Sequence, residues 1–258
     1  MPARESEALV LRTYPFQEAD LVVSFIARDQ GRLRGLARGA RRLKSRFGAG
    51  LERLAHVRMF YFQRENRELV NLDSCELISS QFDALSDYYI GVALDFLAEV
   101  SEQLLPEHEP NDRYFLLLLL VLDYIRNGAP GEDAAATPAS RLPAALAYFA
   151  LWAVRLGGWL PDLTCCVSCG VSMPAGERAY YARSLPGLAC GRCRPEGAWT
   201  LTPESRAIAE EMLHASLRKL APRGGDRRPA ADLRQFLLQR LEEHFERKLV
   251  TAPLLSEL

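Results

Sequence analysis

A chain of 258 residues, 48 % hydrophobic and 25 % charged, has the balance of a folded globular protein and can bury a core without disulfide staples. Its longest apolar run, residues 115–122, is far shorter than the roughly 20 residues of a membrane-crossing helix. Arg4, Glu5 and Glu7 precede any apolar stretch, unlike a secretory or organellar leader, so a cytoplasmic protein with no membrane association is expected. The net charge of −1 hides an asymmetry. Residues 1–80 hold 14 Lys and Arg against 10 Asp and Glu, net +4, and the remainder holds 18 against 23, net −5. One positive face on an acidic body is the pattern this suggests.

Residues 1–80 alternate apolar and polar positions in short stretches separated by glycine. This predicts strands at 8–11, 21–27, 33–37 and 56–63, one or two more across 68–78, a turn at 29–31 and a hairpin loop at 64–67. Five short strands suit a small closed barrel, of which the OB type binds nucleic acid. Phe60 and Phe62 are expected in its core, with Tyr61 or Phe47 outside and free to stack on a base. Cys75 is expected to be a core residue.

From residue 80 the apolar period becomes helical. Helices are predicted at 87–105, from Asn111 or Asp112 to 126, at 141–156, 203–220 and 230–249, with a loop over the small, Pro- and Gly-rich residues 127–140. The predicted fold is therefore α+β and multidomain. An N-terminal OB-fold β-barrel (1–80) precedes an α-helical domain (81–258), which carries a four-cysteine zinc ribbon at about residues 162–200.

That ribbon rests on two pairs, Cys166-Val-Ser-Cys169-Gly170 and Cys190-Gly-Arg-Cys193. Two Cys-x-x-Cys turns 20 residues apart can aim four thiolates at one tetrahedral ion, and four sulfurs leave no open position for a reacting water, so one structural Zn2+ is expected. A redox dithiol or a disulfide would use the same residues. Cys165 could replace Cys166 in a Cys-x3-Cys pair, although the Cys-x-x-Cys-Gly frame suits a tight knuckle better.

Residues 31–50, GRLRGLARGARRLKSRFGAG, hold Arg32, Arg34, Arg38, Arg41, Arg42, Lys44 and Arg46 and no acid. Arg32 and Arg34 share a strand face, and the others lie in a loop able to follow a phosphate chain. If about five of the seven touched single-stranded phosphates, log affinity would fall with log salt at a slope of roughly −3.5. A solvated loop guarding a sheet edge is the alternative. Gly39 to Ser45 imitates a phosphate-binding loop, but Leu43 stands where its second glycine belongs, one residue short. No dinucleotide fingerprint, zinc-protease helix or nucleophile elbow occurs, and His56, His108, His214 and His244 are scattered, so no enzyme activity is expected. A zinc-ribbon nucleic-acid-processing enzyme and a protein-interaction scaffold are the competing classes.

Several stretches resemble the RecO family of bacterial recombination mediators. They are Val10-Leu11-Arg12, Glu18 with Asp20-Leu21, Gly31, Ala37-Arg38-Gly39-Ala40-Arg41-Arg42, Lys44-Ser45-Arg46-Phe47, Phe60-Tyr61, Gly157-Gly158 before Leu160-Pro161, and the two cysteine pairs. The resemblance covers most of the chain. It implies an OB domain, a helical domain with a zinc ribbon, and no covalent chemistry. It further implies binding of single- and double-stranded DNA, annealing of complementary strands and association with RecR. Contact with the acidic C-terminal tail of single-stranded-DNA-binding protein, and through it help in loading RecA, complete what it implies.

Overall fold

Five strands close into a barrel: β1 (Ala3–Phe16), β2 (Asp20–Ala27), β3 (Gly31–Ala37), β4 (His56–Phe62) and β5 (Leu69–Ser79). Their order is β1-β2-β3-β5-β4, with β4 returning to β1, and only the β3–β5 pairing is parallel. This is the five-stranded Greek-key closure of an OB fold. The computed structural model describes residues 3–63, 68–82, 87–131, 137–220 and 228–257. The expected loop at 64–67 lies outside them, as do 132–136 of the expected loop at 127–140.

β1 is much longer than its buried centre suggested, because it serves two neighbours in succession. Residues 3–9 pair with β4 and residues 8–16 with β2. Ala8, Val10, Val23, Phe25, Leu33, Val57, Met59, Tyr61, Val70 and Leu72 fill the barrel. Two aromatic expectations are thereby corrected. Tyr61 and Phe47 are buried, at 1 % and 3 % exposure, and neither can meet a base; Phe60 and Phe62 are the half-exposed residues. The alternation of β4 turns Arg58 outward, which sends Val57, Met59 and Tyr61 in together. Cys75 is half-buried against the core, where burial pushes its thiol up to about 11.

The chain divides into two compact units, Met1–Leu119 with Pro253–Glu257, and Leu120–Ala252. The first thus adds to the barrel α1 (Tyr88–Leu104), whose N-cap Asp87 accepts from the Tyr89 and Ile90 amides, and the start of α2 (Asp112–Asn127), where Asn111 accepts from the Tyr114 amide. The second holds the end of α2, then α3 (Pro138–Leu156), the two-stranded sheet β6 (Ala179–Tyr181) and β7 (Trp199–Leu201), α4 (Pro203–His214) and α5 (Arg228–His244).

Caps explain where these helices begin. Thr137 and Ser140 form a capping box ahead of α3, three residues before the expected start. Thr202 caps α4, and Asp232 of α5 accepts the Thr202 amide. α4 and α5 both stop short of expectation: Ala215 turns extended, and Glu246 adopts a positive φ. α3 and α4 both rest on α5. Among the described residues no helix is long and apolar enough to cross a membrane.

Candidate nucleic-acid interface and metal centre

The seven cations of residues 32–46 divide by environment. Arg32, on β3, is a strut. Its Nε donates to the Leu105 carbonyl at 2.9 Å and its Nη1 meets Glu107 Oε1 at 3.1 Å, leaving the side chain 18 % exposed. The His108 amide donates to the Arg32 carbonyl in return, and Gly31 beside it has φ +74 and no room for a Cβ against Glu109. Arg34 is exposed but lies 3.3 Å from Glu107 and 3.9 Å from Glu68, and Arg46 pairs with Asp73 at 2.6 Å. The segment contains no acid, yet carboxylates from elsewhere in the barrel unit reach three of its cations. Only folding brings those acids close.

Arg38, Arg41, Arg42 and Lys44 are exposed and meet no carboxylate among the described residues. Their loop is nevertheless ordered by the backbone. Gly39, at φ +66, donates its amide to Asp20 Oδ1 at 2.8 Å, and the Arg41 amide donates to the Ala19 carbonyl at 3.0 Å. Arg41 Nη1 donates to the Glu18 carbonyl at 3.3 Å, while the Arg42 and Ser45 amides close turns onto Gly39 and Arg42. Loop and β1–β2 turn thus form one hydrogen-bonded unit that presents four cations without a carboxylate partner among the described residues. Such a surface attracts a polyanion.

The structure brings Cys166, Cys169, Cys190 and Cys193 together, with all four Sγ atoms within 4.8 Å of one another and Cys169 and Cys190 at 3.9 Å. A zinc–sulfur bond of about 2.3 Å places tetrahedral sulfurs about 3.8 Å apart, so the cluster fits such an ion, and all four cysteines are free. Turn geometry builds each knuckle. The Gly170 amide, at φ +69, donates to the Cys166 carbonyl, and the Cys193 amide donates to the Cys190 carbonyl. Burial opposes ionisation of Cys166, but the amides of Cys190, Cys169 and Ser168 overcome it and draw the thiol down to about 6. Cys193 is pushed up to about 12 by the neighbouring Cys169 and Cys190. The group gives up its first proton more easily than its last, because each thiolate formed disfavours the next. Cys165 bridges to Ser172, with its sulfur near Thr164 Oγ1, and is not one of the four.

Two arginines outside every expectation dock this ribbon. Arg206 of α4 donates to the carbonyls of Leu163, Met173, Pro174 and Glu177, all at 2.8–3.1 Å, and is 5 % exposed. Arg240 of α5, 6 % exposed, donates to the Leu185 carbonyl at 2.9 Å. The available signal was helical phase. Arg206 falls in step with buried Ala209, and Arg240 with buried Leu233, Phe236 and Leu237.

Comparison with known proteins agrees with this architecture. Residues 1–81 match the family model described as Recombination protein O N terminal, and residues 85–252 the one described as Recombination protein O C terminal. The chain is 44 % identical over 255 residues to the DNA repair protein RecO of Koribacter versatilis, covering 99 % of each. It is 30 % identical to that of Anaeromyxobacter dehalogenans, over 97 % of this chain and 94 % of the relative, and 32 % identical to that of Cutibacterium acnes over 76 % of each. With both family models matched in turn along a barrel, a helical unit and a four-cysteine ribbon, the chain belongs to the RecO family of DNA repair proteins.

Proposed function

We propose that this protein is a non-catalytic recombination mediator in DNA repair. In this reading it binds single- and double-stranded DNA through the barrel domain, residues 1–80, and anneals complementary strands. The observation that carries the reading is the ordered loop with Arg38, Arg41, Arg42 and Lys44 free of carboxylate partners among the described residues. Cations there neutralise phosphates, release counterions and hold a strand without reading its bases. Annealing then needs no reacting group, since complementary strands pair once their mutual repulsion is screened.

Arg34 and Arg46 flank the loop and add affinity where phosphate displaces Glu107 or Asp73. Arg32 contributes least, because it is already held by Leu105 and Glu107. Four contacts on a single strand give a log–log salt slope of about −2.8, shallower than the slope expected from five. Cys166, Cys169, Cys190 and Cys193 would hold one structural Zn2+, which ties the ribbon together. The helical domain serves protein partners: RecR, the acidic tail of single-stranded-DNA-binding protein and, through these, RecA loading.

The experiment is an affinity titration of a labelled single strand from low to moderate salt, with an annealing assay, on wild type and the Arg38→Ala/Arg41→Ala/Arg42→Ala variant. A slope of about −2.8, reduced by about 2 in the variant together with slower annealing, supports the reading. A slope near zero, or unchanged binding by the variant, overturns it. Labelled strands incubated with Mg2+ should stay intact; cleavage would favour the enzyme reading instead.

A further inference from the structure

Strand β1 breaks its own alternation. Ala8 and Val10 face the barrel core opposite Ala27 and Phe25, so a regular strand would send Arg12, Tyr14 and Phe16 inward after them. A bulge between Val10 and Arg12 resets the phase. Arg12 now lies opposite Ser24 and Thr13 opposite buried Val23, which turns Tyr14 and Phe16 outward, 42 % and 41 % exposed. Bulges of this kind re-aim side chains. Here the result is two aromatic rings on one solvent-facing row, where polar residues would serve solubility better. The Tyr14 hydroxyl donates to Glu102 Oε1 at 3.5 Å, which steadies the first of them.

The row adjoins the basic loop. Phe16 is the cross-strand neighbour of Asp20, whose carboxylate holds the Gly39 amide, and the intervening turn supplies the Ala19 and Glu18 carbonyls that hold Arg41. Directly paired residues of an antiparallel ladder point the same way, so the Phe16 ring and the Asp20 anchor share a face. The rings are about 7 Å apart along the strand, far enough for each to meet a different base. Exposed π-faces beside cations that meet no carboxylate among the described residues match a ligand that alternates flat apolar groups with negative charges.

We propose that Tyr14 and Phe16 form a stacking platform for the bases of single-stranded DNA whose phosphates lie on Arg38, Arg41 and Arg42. This rests on the nucleic-acid reading above and adds to it a contact that salt does not screen. Duplex DNA keeps its bases stacked on one another, so the platform favours single strands.

The test compares a fluorescent oligo(dT) with an abasic strand of equal length, each titrated at several salt concentrations. Wild type should prefer oligo(dT) by about 10-fold or more, because each stacked base is worth about that factor. The Tyr14→Ala/Phe16→Ala variant should bind both strands alike with an unchanged salt slope. Phe16→Trp should keep the preference, and its indole fluorescence should change when oligo(dT) binds but not when the abasic strand does. Equal affinity of wild type for both strands, or a double variant that keeps the full preference, overturns the platform and leaves the rings to an apolar protein partner. Loss of the salt slope in wild type would instead sink the underlying DNA reading, so the two failures are distinguishable.

Discussion

Asp20 Oδ1 accepts the amide of Gly39 at 2.8 Å, and through this bond an acid organises the loop that displays Arg38, Arg41, Arg42 and Lys44. In the proposed reading its charge would oppose a phosphate while its geometry would help to hold one. The two effects separate by substitution. Asp20→Asn keeps an acceptor and removes the charge; Asp20→Ala removes both. A hydrogen bond worth about 1 kcal/mol predicts that the Ala variant binds single strands about 5-fold more weakly than the Asn variant, with Asn equal to or tighter than wild type. Anisotropy titrations at one fixed salt concentration decide it, and equal affinities for the two variants would show that the loop needs no anchor.

The cysteine cluster makes a prediction about metal content. Purified protein should carry about one zinc per chain by elemental analysis, Cys169→Ser should carry none, and Cys165→Ser should match wild type, because the Cys165 sulfur is not in the cluster. Affinity should weaken on acidification, as protons compete for thiolates. Chelation should expose the ribbon, residues 162–200, to protease before the barrel. Zinc retained in Cys169→Ser would mean that another set of ligands holds it.

What was legible in the chain follows from how local each signal is. The cysteine pairs are read from covalent spacing alone, and the tertiary fold has only to bring two tight turns together. The barrel strands are legible because apolar alternation is local too, but phase is not guaranteed by it. Phe60 and Phe62 look like core until Arg58 is used to set the phase of β4, and Tyr14 and Phe16 fall on the inward parity until the bulge after Val10 shifts it. A one-residue insertion leaves no compositional trace. The partners of Arg32, Arg34 and Arg46 lie 27 to 75 residues away in sequence, so a run without acids could still be partly neutralised by the fold.

Arg206 gives the strongest stability prediction. Burial disfavours its charge and draws its pKa down, yet the fork of the guanidinium meets four carbonyls of the ribbon segment at once. Arg206→Ala leaves those carbonyls without their donor, at a cost of about 3 kcal/mol, which lowers Tm by about 6–12 °C for a chain of this size. Arg206→Lys should recover little, since an ammonium is a compact point charge and cannot span four acceptors. Calorimetry on the zinc-loaded protein measures this, and a Lys variant as stable as wild type would show that charge, not the fork, holds the ribbon.

Glu7 should make the barrel unit acid-sensitive. Partial burial raises the cost of its charge, but hydrogen bonds and attraction from Arg28 at 2.9 Å and His56 at 2.8 Å overcome that and hold its carboxyl below the ordinary range. A carboxyl with a depressed folded pKa stabilises the protein above the unfolded value of about 4.3, and that contribution disappears as pH falls through the folded value. Because the pair is partly exposed, solvent limits the effect to about 1 kcal/mol or less. Arg28 also reaches Asp112 Oδ1 at 2.6 Å, at the start of α2, so protonating Glu7 loosens one end of a chain of ion pairs between barrel and helix. Thermal melts should show wild type losing more stability than Glu7→Gln between about pH 5 and about pH 3, the two curves converging at the acid end. Parallel curves across that range would mean that Glu7 is not the titrating tether.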